Sequence, residues 1–571
     1  MIVLGVGCSF EHDPSAALLV DGEVVAAVDE ERFTREKHAI QQLPVQSIRY
    51  CMKSAGVSPG DIDAVAFPWS YVAYRRLRWR YFRRNLRTRT DHALKAIVKG
   101  RNRRARKTRK LLQALEGAGI RPQEVRLGFI EHHLAHAASS YHFSGFEEAA
   151  ILTLDAKGEF TATMLAEGRG GEITILKEIL NPDSLGYFYS TLTEYLGFQV
   201  NDGEFKVMGM SAYGDPKRID LSPIIRRENS SYSVNEKLIW VAHSRRYQGK
   251  HFPEELVRML GAPRSGDGLT EPYTHIAAAV QKTLEDVVLS LIDGDLAPVL
   301  DRCGGRLCLA GGCALNVRMN RKLLEHAKVS SLWVQPAAHD SGTSLGAAAL
   351  LATELGDRVK PMVHSYLGPE YDDAAIVSAL ERFAIPSERP QDIIETTADL
   401  LAEGHVVAWF QGRMEYGPRA LGNRSILAHP GREGMSDEIN GRIKFRENWR
   451  PFCPSIKREF GREILGTDHD SPFMTFSFHI TPEWRDRIRE AVHVDNTCRP
   501  QLVSEEVNPR FYQLLSAFQK RTGLPALLNT SLNRRGEPMV CSPEDAIAMF
   551  YGSGLDYLVL GDRLVRKQGA S

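Results

Sequence analysis

The sequence predicts an α/β protein of two domains, and three observations support this prediction. The 571 residues exceed what a single hydrophobic core usually organises. Hydrophobic residues make up 43% and charged residues 25% of the chain, as in soluble globular proteins. A pattern of strands, then a helix and a further strand, occurs at the N-terminus and again later. The predicted domains are 1–360 and 370–571, separated by a linker that contains prolines and a glycine.

The first repeat begins with the apolar run IVLGVG at residues 2–7, which predicts a strand. Residues 16–20 and 24–28 are predicted to form a hairpin, because the dipeptide Asp21-Gly22 between them favours a type I′ turn. These three segments supply the first β-β-β unit of the pattern.

A helix is predicted at 45–55 and a short buried strand at 64–67, and residues 151–165 and 173–180 are predicted to form a second hairpin. The β-β-β-α-β alternation, repeated in a second half, indicates the actin-like ATPase fold. In that fold a phosphate cleft lies between the two repeats.

Two histidines are placed to share one face of a helix. His132 and His136 lie four residues apart in a run of helical composition that Gly145 can end, so their imidazoles are expected about 6 Å apart. Asp155 ends an apolar run and Asp340 precedes a predicted helix, so both carboxylates can reach the pair. Two imidazoles with two carboxylates suit Fe(II), Mn(II) or Zn(II) better than Ca²⁺. Ordinary packed histidines remain the alternative, because the chain contains 18 histidines.

A glycine pair follows the apolar run at 307–310. Gly311 and Gly312 would let backbone N–H groups approach a nucleotide closely, and Asn316 and Asn320 could bond its ribose or base. A tight turn without a ligand is the alternative interpretation of the same residues.

A helix N-terminus and a lysine are further candidates for binding phosphate. Asp340 is predicted to cap the following helix, which places Ser341 and Gly342 at the positive end of the helix dipole. Lys206 lies in a predicted loop at 202–209 and is either a phosphate contact or an ordinary surface lysine.

One segment is strongly basic. Between Arg75 and Lys110 there are 17 lysines and arginines and a single acid, Asp91, so this segment carries +16, whereas the whole chain carries +1. Interleaved aromatic residues suit nucleic acid. The remainder carries −15, which favours the alternative, a helical insertion at 71–110 that packs on an acidic part of the same or a neighbouring chain.

The sequence also predicts where the protein works. No stretch approaches the roughly 18 apolar residues of a membrane-spanning helix, and the N-terminus lacks a secretory signal. The eight cysteines are scattered without a Cys-x-x-Cys pair, which predicts reduced thiols and no zinc framework. A cytoplasmic protein with no membrane partner is expected.

Ten ordered motifs cover nearly the whole chain: HDPSAAL (12–18), EERFTREKH (30–38), HHLAHAASS (132–140), TLDAKGE (153–159), FKVMGMSAYG (205–214), AGGCALN (310–316), HDSGTSLGAA (339–348), GRMEYGPRALGNRSIL (412–427), INGRIKFRENWRPFCPS (439–455) and LLNTSLNRRGEP (527–538). Together they resemble the O-carbamoyltransferases of antibiotic and nodulation-factor biosynthesis. Those enzymes pair an actin-like domain with a smaller α/β domain similar to threonylcarbamoyl-adenylate synthase. The length and the arginine-rich segment look most like an aminoglycoside-modifying member.

The resemblance implies a first half-reaction in the second domain. Carbamoyl phosphate would lose its phosphate, and the carbamate would attack the α-phosphate of ATP, which is bound with Mg²⁺. Guanidinium groups match phosphate oxygens in pairs, although arginines are also common on surfaces. The residues implied to bind the two co-substrates are Arg419, Arg424, Lys444, Arg450, Ser455, Arg499, Asn529 and Ser531.

The resemblance implies that carbamoyl-adenylate then passes, enclosed from water, to the first domain. There it would lie on Gly311, Gly312 and Asn316, beside a divalent ion, Fe(II) being favoured, that stabilises developing charge. His12, oriented by Asp13, is the implied base for the acceptor hydroxyl. A histidine that only caps a turn is the alternative for His12.

The implied acceptor is a small molecule with a hydroxyl group, an aminoglycoside such as tobramycin or kanamycin. A homo-dimer is possible, and nucleic acid is not an expected partner. Two other classes remain open: a tRNA threonylcarbamoyl-type transferase whose basic segment holds RNA, and a sugar-kinase-like regulator that binds nucleotide without turnover.

Overall fold

A computed structural model describes residues 1–8, 12–86, 90–98, 100–228, 230–239 and 252–567. The chain divides into two compact units. The first unit comprises Met1–Glu30 and Ile40–Met362, and the second comprises Glu31–Ala39 and Val363–Ser571. The segment Glu31–Ala39 thus belongs to the second unit, whereas the sequence analysis assigned it to the first domain.

The strands of the first unit are β1 (Ile2–Gly7), β2 (Ser15–Val20), β3 (Glu23–Asp29), β4 (Ala64–Phe67), β5 (Arg126–Phe129), β6 (Glu148–Leu154), β7 (Thr161–Arg169), β8 (Glu172–Leu180), β9 (Ile225–Glu228), β10 (Ser231–Val234), β11 (Arg306–Ala310) and β12 (Ser331–Val334). The first helix of the chain, α1 (Glu31–Thr34), belongs to the second unit. The helices of the first unit are α2 (Val45–Ala55), α3 (Tyr71–Asn85), α4 (Thr90–Val98), α5 (Gly100–Gly117), α6 (His132–Tyr141), α7 (Leu185–Tyr195), α8 (Glu204–Met210), α9 (Glu254–Leu260), α10 (Tyr273–Asp293), α11 (Ala297–Arg302), α12 (Val317–Leu324) and α13 (Gly342–Glu354).

The first unit contains the same sheet twice. One sheet has the strand order β3-β2-β1-β4-β5 and the other β8-β7-β6-β11-β12. In each, an antiparallel meander is extended by two parallel strands. This duplication is the actin-like ATPase fold that the sequence predicted.

The Asp21-Gly22 turn has the predicted conformation, since both residues have positive φ, 50° and 76°. The second predicted hairpin was wrong in one respect, because residues 151–165 are not one strand. They form parts of β6 and β7, joined by a tight loop in which the N–H of Gly158 donates to the carbonyl of Thr161 at 2.6 Å. The polar sequence DAKGE supplies that turn.

The basic insertion folds as α3, α4 and α5. Arg76 donates to Glu131 at 2.8 Å and to Glu178 at 2.9 Å, and Arg80 also donates to Glu178, at 3.1 Å. Arg84 pairs with Asp183 at 3.0 Å. The helix α3 therefore pairs with carboxylates of its own unit, in line with the second interpretation of this segment.

The strands of the second unit are β13 (Val407–Phe410), β14 (Arg424–Ala428), β15 (Cys453–Lys457), β16 (Phe478–His479), β17 (Thr497–Cys498), β18 (Gln501–Val503), β19 (Ala526–Ser531), β20 (Tyr557–Leu560) and β21 (Arg563–Arg566). Seven of them form a sheet with the strand order β18-β15-β19-β14-β13-β20-β21, and β16 and β17 form a separate pair. Its further helices are α14 (Asp373–Arg382), α15 (Ile393–Glu403), α16 (Met435–Ile439), α17 (Gly461–Leu465), α18 (Pro482–Arg485), α19 (Pro509–Thr522) and α20 (Pro543–Tyr551).

Two general features accompany the fold. In the part of the chain that the structure describes, no helix combines the length and the hydropathy needed to span a membrane. The eight cysteines, which all lie in that part, are free thiols, as predicted.

Candidate functional site

Four side chains from distant parts of the first unit converge. Each offers one ligand atom, and these atoms all lie within 4.8 Å of one another in the cluster of His132, His136, Asp155 and Asp340. His132 Nε2 is 3.5 Å from Asp155 Oδ2 and 3.4 Å from Asp340 Oδ1. His136 Nε2 is 3.6 Å from the same Asp340 oxygen. The two imidazoles are fully buried, so the cluster is shielded from solvent.

The cluster forms where three elements meet. Both histidines lie on the first turns of α6, Asp155 follows β6, and Asp340 precedes α13. The helices α6 and α13 pack closely because Gly346 has no side chain, and a Cβ there would lie 1.8 Å from the carbonyl oxygen of Ala135.

The predicted capping role of Asp340 was wrong. The N-cap of α13 is Ser341, and its side chain makes no capping hydrogen bond. The Asp340 carboxylate lies instead against His132 and His136. Two buried imidazoles compete for this carboxylate, which explains why it does not turn back to the helix.

The electrostatics of the cluster fit a bound cation. Burial lowers the pKa of His132, but the negative charges of Asp340 and Asp155 have a larger opposite effect. The net result is a pKa of about 10. Burial lowers the pKa of His136. Neither ring nitrogen of His136 is within hydrogen-bond distance of a partner among the described residues, since the Asp340 oxygen lies 3.6 Å from Nε2. A buried imidazole that makes no hydrogen bond is costly, so this donor set suits a divalent ion that accepts a nitrogen lone pair.

His12 and Asp13 adjoin the cluster. His12 Nε2 is 3.9 Å from Asp340 Oδ2, and His12 Nδ1 is 3.1 Å from Asp13 Oδ2. Asp13 has a φ of 50°, which is uncommon for a residue other than glycine. The imidazole is therefore held beside the candidate metal ligands and oriented by a carboxylate.

The glycine pair also reaches the cluster. The N–H of Gly312 donates to Asp155 Oδ1 at 3.1 Å. Gly311 has a φ of 95°, and a Cβ there would lie 2.2 Å from the Leu154 carbonyl oxygen. Asn316 is used within the fold, because its amide caps α12 and forms two hydrogen bonds with Gln281.

The other predicted nucleotide contacts of the first unit are Ser341, Gly342 and Lys206, and each of them lies against other residues of the protein. Ser341 is buried, and its hydroxyl lies 3.1 Å from His339 Nε2. A Cβ on Gly342 would lie 2.1 Å from the Ala337 carbonyl oxygen. Lys206 lies on α8, where the sequence analysis predicted a loop, and its ammonium group is 5.4 Å from the centre of the Phe198 ring.

The second unit contains a compact group of cations, which we call the basic cluster: Arg419, Lys444, Arg446, Arg450 and Arg499. Burial, Arg499 and Arg450 lower the pKa of Arg419 to about 9. Burial and Arg450 lower the pKa of Arg446 to about 9 as well. These shifts arise because the charges are desolvated and repel one another. The basic cluster is therefore suited to binding a polyanion.

Lys444 is held in place by its neighbours. It ends a π-helical turn, Asn440–Lys444, after which Phe445 has a φ of 47°. Its ammonium group donates to Ser531 Oγ at 3.3 Å and to Asn533 Oδ1 at 2.9 Å. Such turns and left-handed residues often mark functional positions.

A polar group lies on the neighbouring strands. The amide nitrogen of Asn529 donates to Ser455 Oγ at 2.9 Å, and Ser455 donates to Gln501 at 2.8 Å. Asn529 is 1% exposed, and its Oδ1 has no hydrogen-bond partner among the residues that the structure describes. This oxygen is therefore available to accept an N–H from a ligand.

Arg424 has a different role from the one that the sequence suggested. It is fully buried, stacks on the Phe410 ring at 3.7 Å and donates to the carbonyls of Gln411, Gly412, Asn423 and Pro369. Its donors are used by the backbone, so it supports the fold and is not open to phosphate. Arg446 was missed, although it lies four residues before Arg450 in the same motif.

Comparisons with known proteins agree with these two units. Residues 2–349 match the family model described as Carbamoyltransferase N-terminus, and residues 398–567 match Carbamoyltransferase C-terminus. A Synechocystis relative, uncharacterized protein sll1178, is 38% identical over 99% of this chain and 96% of its own length. Nodulation protein NolNO of Sinorhizobium fredii is 36% identical over 99% of this chain and 80% of its own length.

Among solved structures, full-length HypF in the phosphate- and nucleotide-bound form is similar with a TM-score of 0.35 and 12% identity. The match covers 63% of this chain and 56% of the HypF chain.

Proposed function

The chain belongs to the carbamoyltransferase family, and from this premise we propose that it is an ATP-dependent O-carbamoyltransferase that works in two half-reactions. The observation that carries the proposal is the chemistry of the two sites. The second unit has a basic cluster suited to phosphates, in which Lys444 is buried and the four arginines are partly buried. The first unit has a buried His₂Asp₂ cluster with a further histidine beside it.

In the first half-reaction, water hydrolyses carbamoyl phosphate to carbamate and phosphate. A carbamate oxygen then attacks the α-phosphorus of ATP, and pyrophosphate leaves, which gives carbamoyl-adenylate. Arg419, Arg450 and Arg499 neutralise the phosphates, and Lys444 adds a fixed positive charge. The free Oδ1 of Asn529 accepts an N–H of the carbamoyl group, and its orientation is set by Ser455.

In the second half-reaction, the acceptor hydroxyl attacks the carbamoyl carbon, and AMP leaves. His12 Nε2 takes the hydroxyl proton, while Asp13 holds the opposite ring nitrogen, which fixes the tautomer. A divalent ion held by the two histidines and two aspartates, with Fe(II), Mn(II) and Zn(II) as candidates, would supply Lewis-acid polarisation. Burial of the cluster keeps water from hydrolysing the mixed anhydride.

The acceptor that we propose is an aminoglycoside such as tobramycin or kanamycin, in antibiotic biosynthesis. The first support for this acceptor is the length of the chain and its arginine-rich insertion. The second is the net charge of −15 outside the segment 75–110, because acidic side chains lining the acceptor pocket would attract the ammonium groups of an aminoglycoside. Because the reaction consumes ATP and carbamoyl phosphate, the cytoplasm is the proposed location.

The test is to incubate the protein with ATP, carbamoyl phosphate and a panel of hydroxylated antibiotics. The expected result is pyrophosphate release that requires both co-substrates, and a product heavier by one carbamoyl group. If pyrophosphate is not released, the adenylate route is wrong. If it is released but no aminoglycoside gains mass, the acceptor class is wrong and the first half-reaction stands.

A further inference from the structure

Five side chains with polar or sulfur atoms lie on one face of the large sheet of the second unit. Ser455 of β15 is directly opposite Gln501 of β18, and Cys453 of β15 is directly opposite Asn529 of β19. Side chains two residues apart on a strand point to the same face, and so do directly opposite ones. Ser531, two residues after Asn529, therefore belongs to this face as well.

The same face carries part of the basic cluster. The ammonium group of Lys444 donates to Ser531 Oγ at 3.3 Å. The Nε of Arg499 donates to Cys453 Sγ at 3.2 Å. Asn529 lies between these two contacts, because it is opposite Cys453 and two residues before Ser531. Its amide is therefore next to the cations that are proposed to hold the phosphates.

Two backbone carbonyls fix the direction of the hydrogen bonds that lead to this amide. Gln501 Nε2 donates to the carbonyl of Leu421 at 2.8 Å, and since a carbonyl can only accept, Gln501 Oε1 faces Ser455 at 2.8 Å. The Ser455 proton must then point to Gln501, so the Ser455 oxygen accepts from the amide nitrogen of Asn529 at 2.9 Å. That nitrogen also donates to the carbonyl of Ala420 at 3.3 Å.

The Asn529 oxygen is the end of this chain of hydrogen bonds. Asn529 Oδ1 is buried and has no hydrogen-bond partner among the residues that the structure describes. The amide cannot turn over without losing the bonds of its nitrogen to Ser455 and Ala420. An unpaired buried oxygen is costly, and an N–H group of a ligand removes this cost. A carbamoyl group brings an NH₂ group to this position, whereas an acetyl group of similar size brings a methyl group.

We propose that Gln501 is a positioning residue that makes the site of the second unit selective for carbamoyl phosphate over acetyl phosphate. Gln501 acts through Ser455, which holds the Asn529 oxygen toward the ligand. The inference rests on the proposed function, and it concerns binding only. A site built to pair with a substrate N–H rejects an analogue that lacks this group, because the buried oxygen then stays unpaired.

The test uses Gln501→Met, which keeps the length of the side chain and removes its donor and its acceptor. The Ser455 proton can then turn toward Asn529, and the amide can turn over. The dissociation constant for carbamoyl phosphate should rise about 10-fold, while that for acetyl phosphate stays within twofold, so the selectivity, which is the ratio of the two constants, should fall about 10-fold. Gln513→Met, at an exposed glutamine of α19, is the matched control and should keep the selectivity.

Ser455→Ala removes the link between Gln501 and Asn529. This variant should lose selectivity by a similar factor, and the double variant with Gln501→Met should lose little more, because both changes break the same chain of hydrogen bonds. If Gln501→Met does not fold, the selectivity of Ser455→Ala decides the question in the same way.

Isothermal calorimetry with each of the two phosphates measures the dissociation constants of the full-length proteins, and thermal unfolding shows whether each variant is folded. The inference is overturned if the unchanged protein binds neither ligand or binds both within twofold. It is also overturned if folded Gln501→Met keeps its selectivity within twofold, including the case in which both ligands bind equally less tightly.

Pyrophosphate release from ATP and carbamoyl phosphate by the unchanged protein tests the proposed function separately. Release together with an unaltered selectivity in Gln501→Met overturns the inference alone. A selectivity that falls in Gln501→Met, without pyrophosphate release by the unchanged protein, supports the inference and overturns the adenylate route.

Discussion

The carboxylate of Glu159 accepts the backbone N–H of His132 at 3.2 Å. Its other oxygen accepts the backbone N–H of Ser70, which begins α3, at 2.7 Å. Glu159 is buried, and this burial raises its pKa. One side chain therefore joins the start of the basic insertion to the helix that carries both histidines of the His₂Asp₂ cluster.

The Glu159→Gln substitution should weaken metal binding without removing a ligand. The glutamine amide has only one oxygen, so it can accept a hydrogen bond from only one of the two backbone N–H groups. Its NH₂ group would face the other N–H, and this repulsion should shift the start of α6. Loss of a contact that orients a metal ligand without touching the ion typically lowers metal affinity by about 10- to 100-fold. Titration with Fe(II) and Zn(II) measures this change, and pyrophosphate release should stay unchanged. Unaltered metal affinity would contradict the positioning role.

The His132→Ala substitution should abolish carbamoyl transfer and leave pyrophosphate release largely intact, because the histidine belongs to the first unit and the basic cluster to the second. Bound metal, measured by elemental analysis, should fall with transfer. The matched control is His142→Ala, a histidine just after α6 that is outside the His₂Asp₂ cluster. If both half-reactions fail in a folded His132→Ala protein, the proposed division between the units is wrong.

The Arg419→Met substitution should stabilise the ligand-free protein while it abolishes pyrophosphate release. The partly buried guanidinium of Arg419, whose pKa is lowered to about 9 by desolvation and neighbouring arginines, disfavours the folded state at pH 7. Removing it should raise the free energy of unfolding by about 1 kcal/mol. Arg424→Met should instead lower this free energy by about 3 kcal/mol, because four carbonyls lose their donor. Chemical denaturation followed by circular dichroism measures both changes.

The His133→Gln substitution should make the free energy of unfolding less sensitive to acid. Burial lowers the pKa of His133 to about 3, below its usual 6.5, so between these values the unfolded chain binds more protons than the folded one. Proton uptake by His133 in the unfolded chain should therefore lower the free energy of unfolding by about 2 kcal/mol between pH 7 and pH 5. Urea unfolding at the two pH values should show a smaller difference for the variant. An equal difference would show that His133 is not buried in its neutral form.

Several elements were predictable because their signals are local. The Asp21-Gly22 turn, the helix α2 and the strand β4 match their predicted positions. Each depends on hydrophobic period, turn residues or propensity within a few neighbours. The shared face of His132 and His136 was equally predictable, since any α-helix places residues four apart on one side.

Other features depended on contacts between distant segments. The sequence could not show that Asp340 would lie against His132 instead of capping α13. It also could not distinguish Arg424, whose donors are used by carbonyls, from Arg419, whose charge belongs to the basic cluster. Both arginines lie in the same motif, and only the packing around each decides its role.

The sequence by itself determined the repeated strand pattern, the helical spacing of the two histidines and the concentration of positive charge in one segment, because these properties are carried along the chain. The tertiary structure decided which carboxylates meet the histidines, and that Glu31–Ala39 belongs to the second unit. The physical reason is that burial and charge interactions act through space, so they exist only once strands and helices far apart in the sequence have packed together.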